Sequence, residues 1–121
     1  MSFNKIEHIK QMITVLYFEA KKAHDYIFQE ELPPRLKQNQ EIIAGILLNK
    51  AIASYTSLHS FYYCNIEDCK DERIENTLFN FNIFANEVLT NISTDHSHQW
   101  SNIEFERFKK SALKLVSISN E

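Results

Sequence analysis

The stretch NKIEHIKQMITVLYFEAKKAHDYIFQE, residues 4–30, decides the fold class. Its apolar side chains Ile6, Ile9, Ile13, Leu16, Ala20, Ala23 and Ile27 recur at alternating steps of three and four. That spacing gathers them on one face of a helix with 3.6 residues per turn, so a first helix is expected over about residues 4–31. Pro33-Pro34 stops it, because neither proline has an amide to donate and the second pushes its predecessor out of the helical region.

Three more elements follow outward from this one. From Asn39, a suitable N-cap, to Cys64, the side chains Ile43, Leu47, Ala51, Ser54, Leu58 and Phe61 step along one face, and Ile42, Ile46 and Leu48 widen it. The second helix, over 39–64, is therefore expected to be the most apolar and the most deeply buried. Gly45 inside it costs about 1 kcal/mol relative to Ala, for which a close crossing by another helix is the expected compensation. Asn65 to Asp68 reads as a connection, and Ile74, Leu78, Phe81, Ala85, Val88 and Ile92 predict a third helix over 68–92. Asp68, Asp71 and Glu72 would lie in its first turn, where acids complement the helix dipole. After the polar loop Ser93 to Gln99, Ser101 with Glu104 forms a capping-box pattern, and Phe105, Phe108, Ala112 and Leu115 carry a fourth helix over 101–118. Trp100 is placed to cap the end of the assembly. Short connections between four such elements predict an all-α, antiparallel up-down-up-down four-helix bundle with one domain over 1–121.

Composition narrows the rest. One Gly and two Pro in 121 residues leave little for hairpin turns or phosphate-cradling loops. A net charge of −3 with no dominant basic run speaks against nucleic acid as a partner. The longest apolar run, Ile42 to Leu48, is far short of a membrane span. Lys5, Glu7 and Lys10 near the start do not resemble a signal peptide, so a cytoplasmic chain with Cys64 and Cys69 as thiols is expected.

Chemical motifs are sparse. His96 and His98 with Asp95 could be combined with Cys64 and Cys69 into a zinc site, but the spacing is wrong for one, and no Glu-x-x-His step is present to build a metal centre inside a bundle. No catalytic residue, metal or cofactor is expected.

Two polar-aromatic stripes stand out instead, Tyr55, His59 and Tyr62 on the second helix and Tyr17, His24 and Phe28 on the first. Each either flanks the core or serves as a binding surface, since aromatic rings anchor protein interfaces. Nearby, Glu67, Asp68, Asp71, Glu72 and Glu75 face only Lys70 and Arg73, as a solvated helix start or a patch that steers a basic partner.

Together these features lead to the expectation of a non-enzymatic protein that binds and masks a partner, similar in architecture to small helical immunity proteins and antitoxins. Against a basic toxin domain, the acids would fill its groove while Tyr55, His59 or Tyr62 anchored the contact. The alternative is a ligand-sensing bundle holding a small molecule between helices through His24, Tyr55 and His59. Oligomeric state, a homodimer included, is left open by the sequence.

Overall fold

Asn4 starts the first helix: its Oδ1 accepts the Glu7 amide at 3.1 Å, and its carbonyl accepts that of His8 at 3.1 Å. This is N-cap bonding, which satisfies amides that have no partner inside the helix. The computed structural model describes residues 4–27, 34–94 and 99–116. Among them lie five helices and no strand: α1 (Lys5–Ile27), α2 (Pro34–Cys64), α3 (Ile66–Cys69), α4 (Glu72–Thr94) and α5 (Gln99–Leu113).

In α1 the expected seam holds from Ile9 to Ile27, all six residues buried, while Ile6 stays exposed at its end. Gln40 from α2 is buried against α1 and donates to the Tyr26 carbonyl at 2.6 Å, giving a late α1 acceptor a partner. The expected seam of α2 holds at Ala51 and Leu58 but is shifted by one residue toward the ends of the helix. Ala44, Leu48, Ala51, Leu58 and Tyr62 face the core, whereas Ile43 is exposed and Leu47 and Phe61 are only half-buried. The reason is that α2 packs on two neighbours, α1 along one flank and α4 along the other. Its buried centre lies between those flanks, and residues at 43, 47 and 61 fall on the α1 side.

Two further expectations for α2 fail. Ile42 and Ile46 are exposed, so the most apolar helix is not the most deeply buried. A Cβ added at Gly45 would meet nothing within 4 Å, so no helix crosses closely there. The helix also begins at Pro34, ahead of Asn39, since proline is tolerated in a first turn whose amides need no helical acceptor.

The expected connection after Cys64 holds the short helix α3, and Asp68 belongs to it. Asp71 caps α4 alone: its Oδ1 accepts the Arg73 amide at 2.9 Å and its carbonyl accepts that of Ile74 at 3.0 Å. α4 buries Ile74, Thr77, Leu78, Phe81, Phe84, Ala85 and Val88. α5 starts at Gln99, which places Ser101 and Glu104 inside the helix and leaves no capping box. Ser101 is buried and accepts from Asn91 Nδ2 at 3.0 Å across the α4–α5 contact, and that partner replaces the role expected at a helix end. Phe105, Phe108, Ala112 and Leu115 are buried as the periodicity requires. His96, His98 and the side chain of Trp100 lie outside what is described, as do Phe28 and the ends expected for the first and fourth helices.

α1 packs on α2, α2 on α4, α4 on α5 and α5 on α1. Phe81, Phe84, Phe105, Phe108 and Tyr17 meet where these contacts close, with Phe81 and Phe108 edge-to-face at 5.5 Å and Phe84 and Phe105 likewise at 5.4 Å. Each such buried ring contributes roughly 1.5–3 kcal/mol through the apolar surface it removes from water.

Candidate functional site

Residues at i, i+4 and i+8 of a helix lie nearly in line. On α2 this line is Tyr55, His59 and Tyr63, with ring centroids 5.7 Å apart for the first pair and 4.7 Å for the second. Tyr55 is half-buried and stacks on Phe81 of α4 at 5.1 Å, which roots the ladder in the core. Burial raises its phenol pKa, with the Tyr63 phenol adding to the effect. His59 is exposed, and Tyr63 keeps 46% of its surface in water. The ladder therefore climbs from packed interior to open solvent in two turns.

Tyr62 does not belong to that surface. It is fully buried, donates its hydroxyl to Glu75 Oε2 at 2.7 Å and accepts the Asp71 amide at 3.0 Å. Burial, with the Glu75 carboxylate beside it, pushes its pKa up to about 12. Tyr62 thus fastens the start of α4 to α2 and is not the exposed ring expected, whereas its neighbour Tyr63 is exposed. The signal for Tyr63 was the four-residue step from His59, but the three-residue step to Tyr62 fits a helix face as well.

Three of the five acids are engaged within the fold. Asp68 pairs with Lys5 Nζ at 2.7 Å, a hydrogen bond that raises the lysine pKa. Asp71 receives Arg73 Nη2 at 2.7 Å and Nε at 3.1 Å, and this holds its carboxyl below the ordinary range. Glu75 takes the Tyr62 hydroxyl. Glu67 in α3 and Glu72 in the first turn of α4 stand exposed, in the segment that follows the ladder along the chain. Exposed rings are thus followed along the chain by exposed carboxylates, groups suited to binding apolar and cationic surfaces respectively.

No protein-family model matches this chain, and no curated protein or solved structure is similar enough to it to count as a match. Among the described residues no three His, Cys, Asp or Glu side chains gather into a group able to hold a metal ion. Cys64 is exposed and Cys69 buried, both as free thiols.

The three side chains expected to grip a small molecule do not converge. His24 stacks on Phe105 at 4.1 Å in the α1–α5 contact, with Asn102 Oδ1 2.8 Å from Nε2 and Asp25 Oδ1 3.0 Å from Nδ1. Tyr55 and His59 lie on the α2–α4 side instead. An open groove of about 340 Å³ runs between α1 and α2, lined by His8, Gln11, Met12, Val15, Ser54 and Ser57. None of the three expected contacts reaches it.

Proposed function

We propose that this chain is a non-enzymatic interaction protein that binds and masks a partner, as immunity proteins and antitoxins do, and that the surface it covers is cationic. The observation that carries this reading is the Tyr55, His59 and Tyr63 ladder, which leaves two rings in water directly before the exposed Glu67 and Glu72. Aromatic anchors surrounded by charge of one sign favour a partner that offers pockets together with the opposite charge. A reducing cytoplasm is the compartment in which its two thiols would persist.

The same reading takes α1, α2, α4 and α5 as an antiparallel up-down-up-down bundle, with α3 as a turn between the second and third. What supports it is the order of contacts, which rises along one helix as it falls along the next: His8 with Phe61 and Tyr26 with Gln40, then Tyr55 with Phe81 and Tyr62 with Glu75. Phe84 with Phe105 and Asn80 with Ser111 continue the pattern.

The test is co-purification from the source organism, using the native chain and a Glu67→Lys, Glu72→Lys double variant. A basic protein should accompany the native chain in stoichiometric amount and be lost from the variant, with helix content by circular dichroism unchanged. If no such partner appears, or if the charge reversal leaves capture intact, the masking role is wrong.

A further inference from the structure

α2 and α4 lie side by side, and the surface they present to solvent is poor in charge. Between Ile42 and Tyr63, α2 carries only Lys50 among Lys, Arg, Asp and Glu, and between Asn76 and Ile92, α4 carries only Glu87. By contrast α1 mixes Lys5, Glu7 and Lys10 with Glu19, Lys21 and Lys22. Exposed on the uncharged side are Ile42, Phe79 and Leu89, with Asn49, Thr56, Ser60, Asn82 and Asn86 between them. Phe79 keeps 64% of its surface in water, the highest value among the large apolar side chains described. Loss of charge combined with exposed aromatic surface is the compositional mark of the centre of a protein interface.

The levels of the two helices are set by the stacking of Tyr55 on Phe81 and the bond from Tyr62 to Glu75. As α2 advances, α4 recedes residue for residue, so Phe79 stands level with Ser57 and Leu58, and Leu89 level with Leu47 and Leu48. Small positions of α2 flank those levels, beside the exposed His59 and Ile46. Thr56 and Ser60 bracket the level of Phe79, and Gly45 and Asn49 bracket that of Leu89. Above Gly45 the backbone is open, with nothing within 4 Å of where a Cβ would stand.

We infer that this face takes a second copy of the same chain, related by a two-fold axis parallel to the helices. Such an axis sets α2 of one copy on α4 of the other at equal levels, so each contact occurs twice. Phe79 then enters the space over Thr56 and Ser60, and Leu89 lies across Gly45 beside Asn49. Large side chains on α4 meet small ones on α2, whereas a two-fold running across the helices would set α4 on α4, large against large. Neutrality favours a copy of itself as well, because a charged face would repel its own image and a cationic partner would find no counter-charge here. The masking reading draws its charge from Glu67 and Glu72 beyond this zone but shares this flank of α2 through His59 and Tyr63, so a masked partner and a second copy would compete for it.

Light scattering behind size exclusion tests it on the full chain. The native protein should run at twice 14.3 kDa and fall toward 14.3 kDa on dilution. Phe79→Glu and Gly45→Glu should each weaken the dimer at least about tenfold, equivalent to roughly 1.4 kcal/mol. Lys22→Glu, exposed on α1, should leave it unchanged, and circular dichroism should find all three variants helical. A native chain that is monomeric at every concentration overturns the proposal. So does a dimer that both face variants retain, or a monomer that instead holds a different protein which Phe79→Glu releases.

Discussion

The Tyr62 hydroxyl, held between Glu75 Oε2 and the Asp71 amide, is a buried group whose loss leaves two polar partners unmatched. Tyr62→Phe is therefore expected to cost about 1–2 kcal/mol in chemical denaturation. The folded-state pKa of this phenol lies above its ordinary value of 10.0, so its contribution is intact below that pH and is lost as pH rises through about 12. Urea midpoints should fall over that alkaline window, and fall less in Tyr62→Phe. Glu104 makes the opposite case. It is 7% exposed, and its Oε1 accepts Arg107 Nη1 at 3.0 Å while Oε2 is buried with no hydrogen-bond partner among the described residues. Replacing it with Met should stabilise the fold by about 1 kcal/mol, because an incompletely matched buried carboxylate loses more hydration than it regains. A lower melting temperature for Glu104→Met would refute this. Neither role was legible in sequence. Adjacent Tyr62 and Tyr63 both fit a helical step from His59, and Ser101 with Glu104 fits a helix start as well as a helix interior.

At the scale of elements, the periodicity of α1, α4 and α5 identified both the helices and most of their buried faces, because each has one apolar stripe against a polar remainder. α2 escaped in register since it is apolar on several faces, and Ile43 and Leu47 look as suitable as Ala44 and Leu48. Only the presence of neighbours on both flanks selects between them. The observed register makes Leu48→Ala cost about 2–5 kcal/mol, whereas Ile46→Ala should stay within about 0.5 kcal/mol of the native protein. Equal losses at the two positions, measured by urea titration, would contradict the burial of Leu48 and the exposure of Ile46. The boundary near residue 70 was hidden for a different reason: Asp68 and Asp71 are both plausible caps, and the Asp71 bonds to Arg73 and Ile74 decide which one acts.

Across the whole molecule, charge is partitioned. α1 and α5 carry mixed charges, the α2–α4 face carries almost none, and exposed acids remain at the α3–α4 turn. That partition separates two kinds of association. Capture of a cationic partner through Glu67 and Glu72 should weaken as salt rises, because exposed charges are screened within about 8–10 Å at moderate ionic strength. Self-association through Phe79 and Leu89 should not weaken over the same range, and parallel measurements by interferometry and light scattering check the contrast. Of the surface residues, sequence supplied Tyr55, His59, Glu67 and Glu72. It misplaced Tyr62, and it could not reveal that Asp68, Asp71 and Glu75 are occupied by Lys5, Arg73 and Tyr62, since the Lys5 and Tyr62 contacts depend on tertiary packing. The proposed masking function rests on exposed rings that the fold itself does not need. The measurement closest to it records thermal stability and partner capture side by side for His59→Ala and Tyr63→Ala. Stability within about 0.5 kcal/mol of the native protein together with loss of capture is the predicted result, and a large loss of stability with capture retained would contradict it.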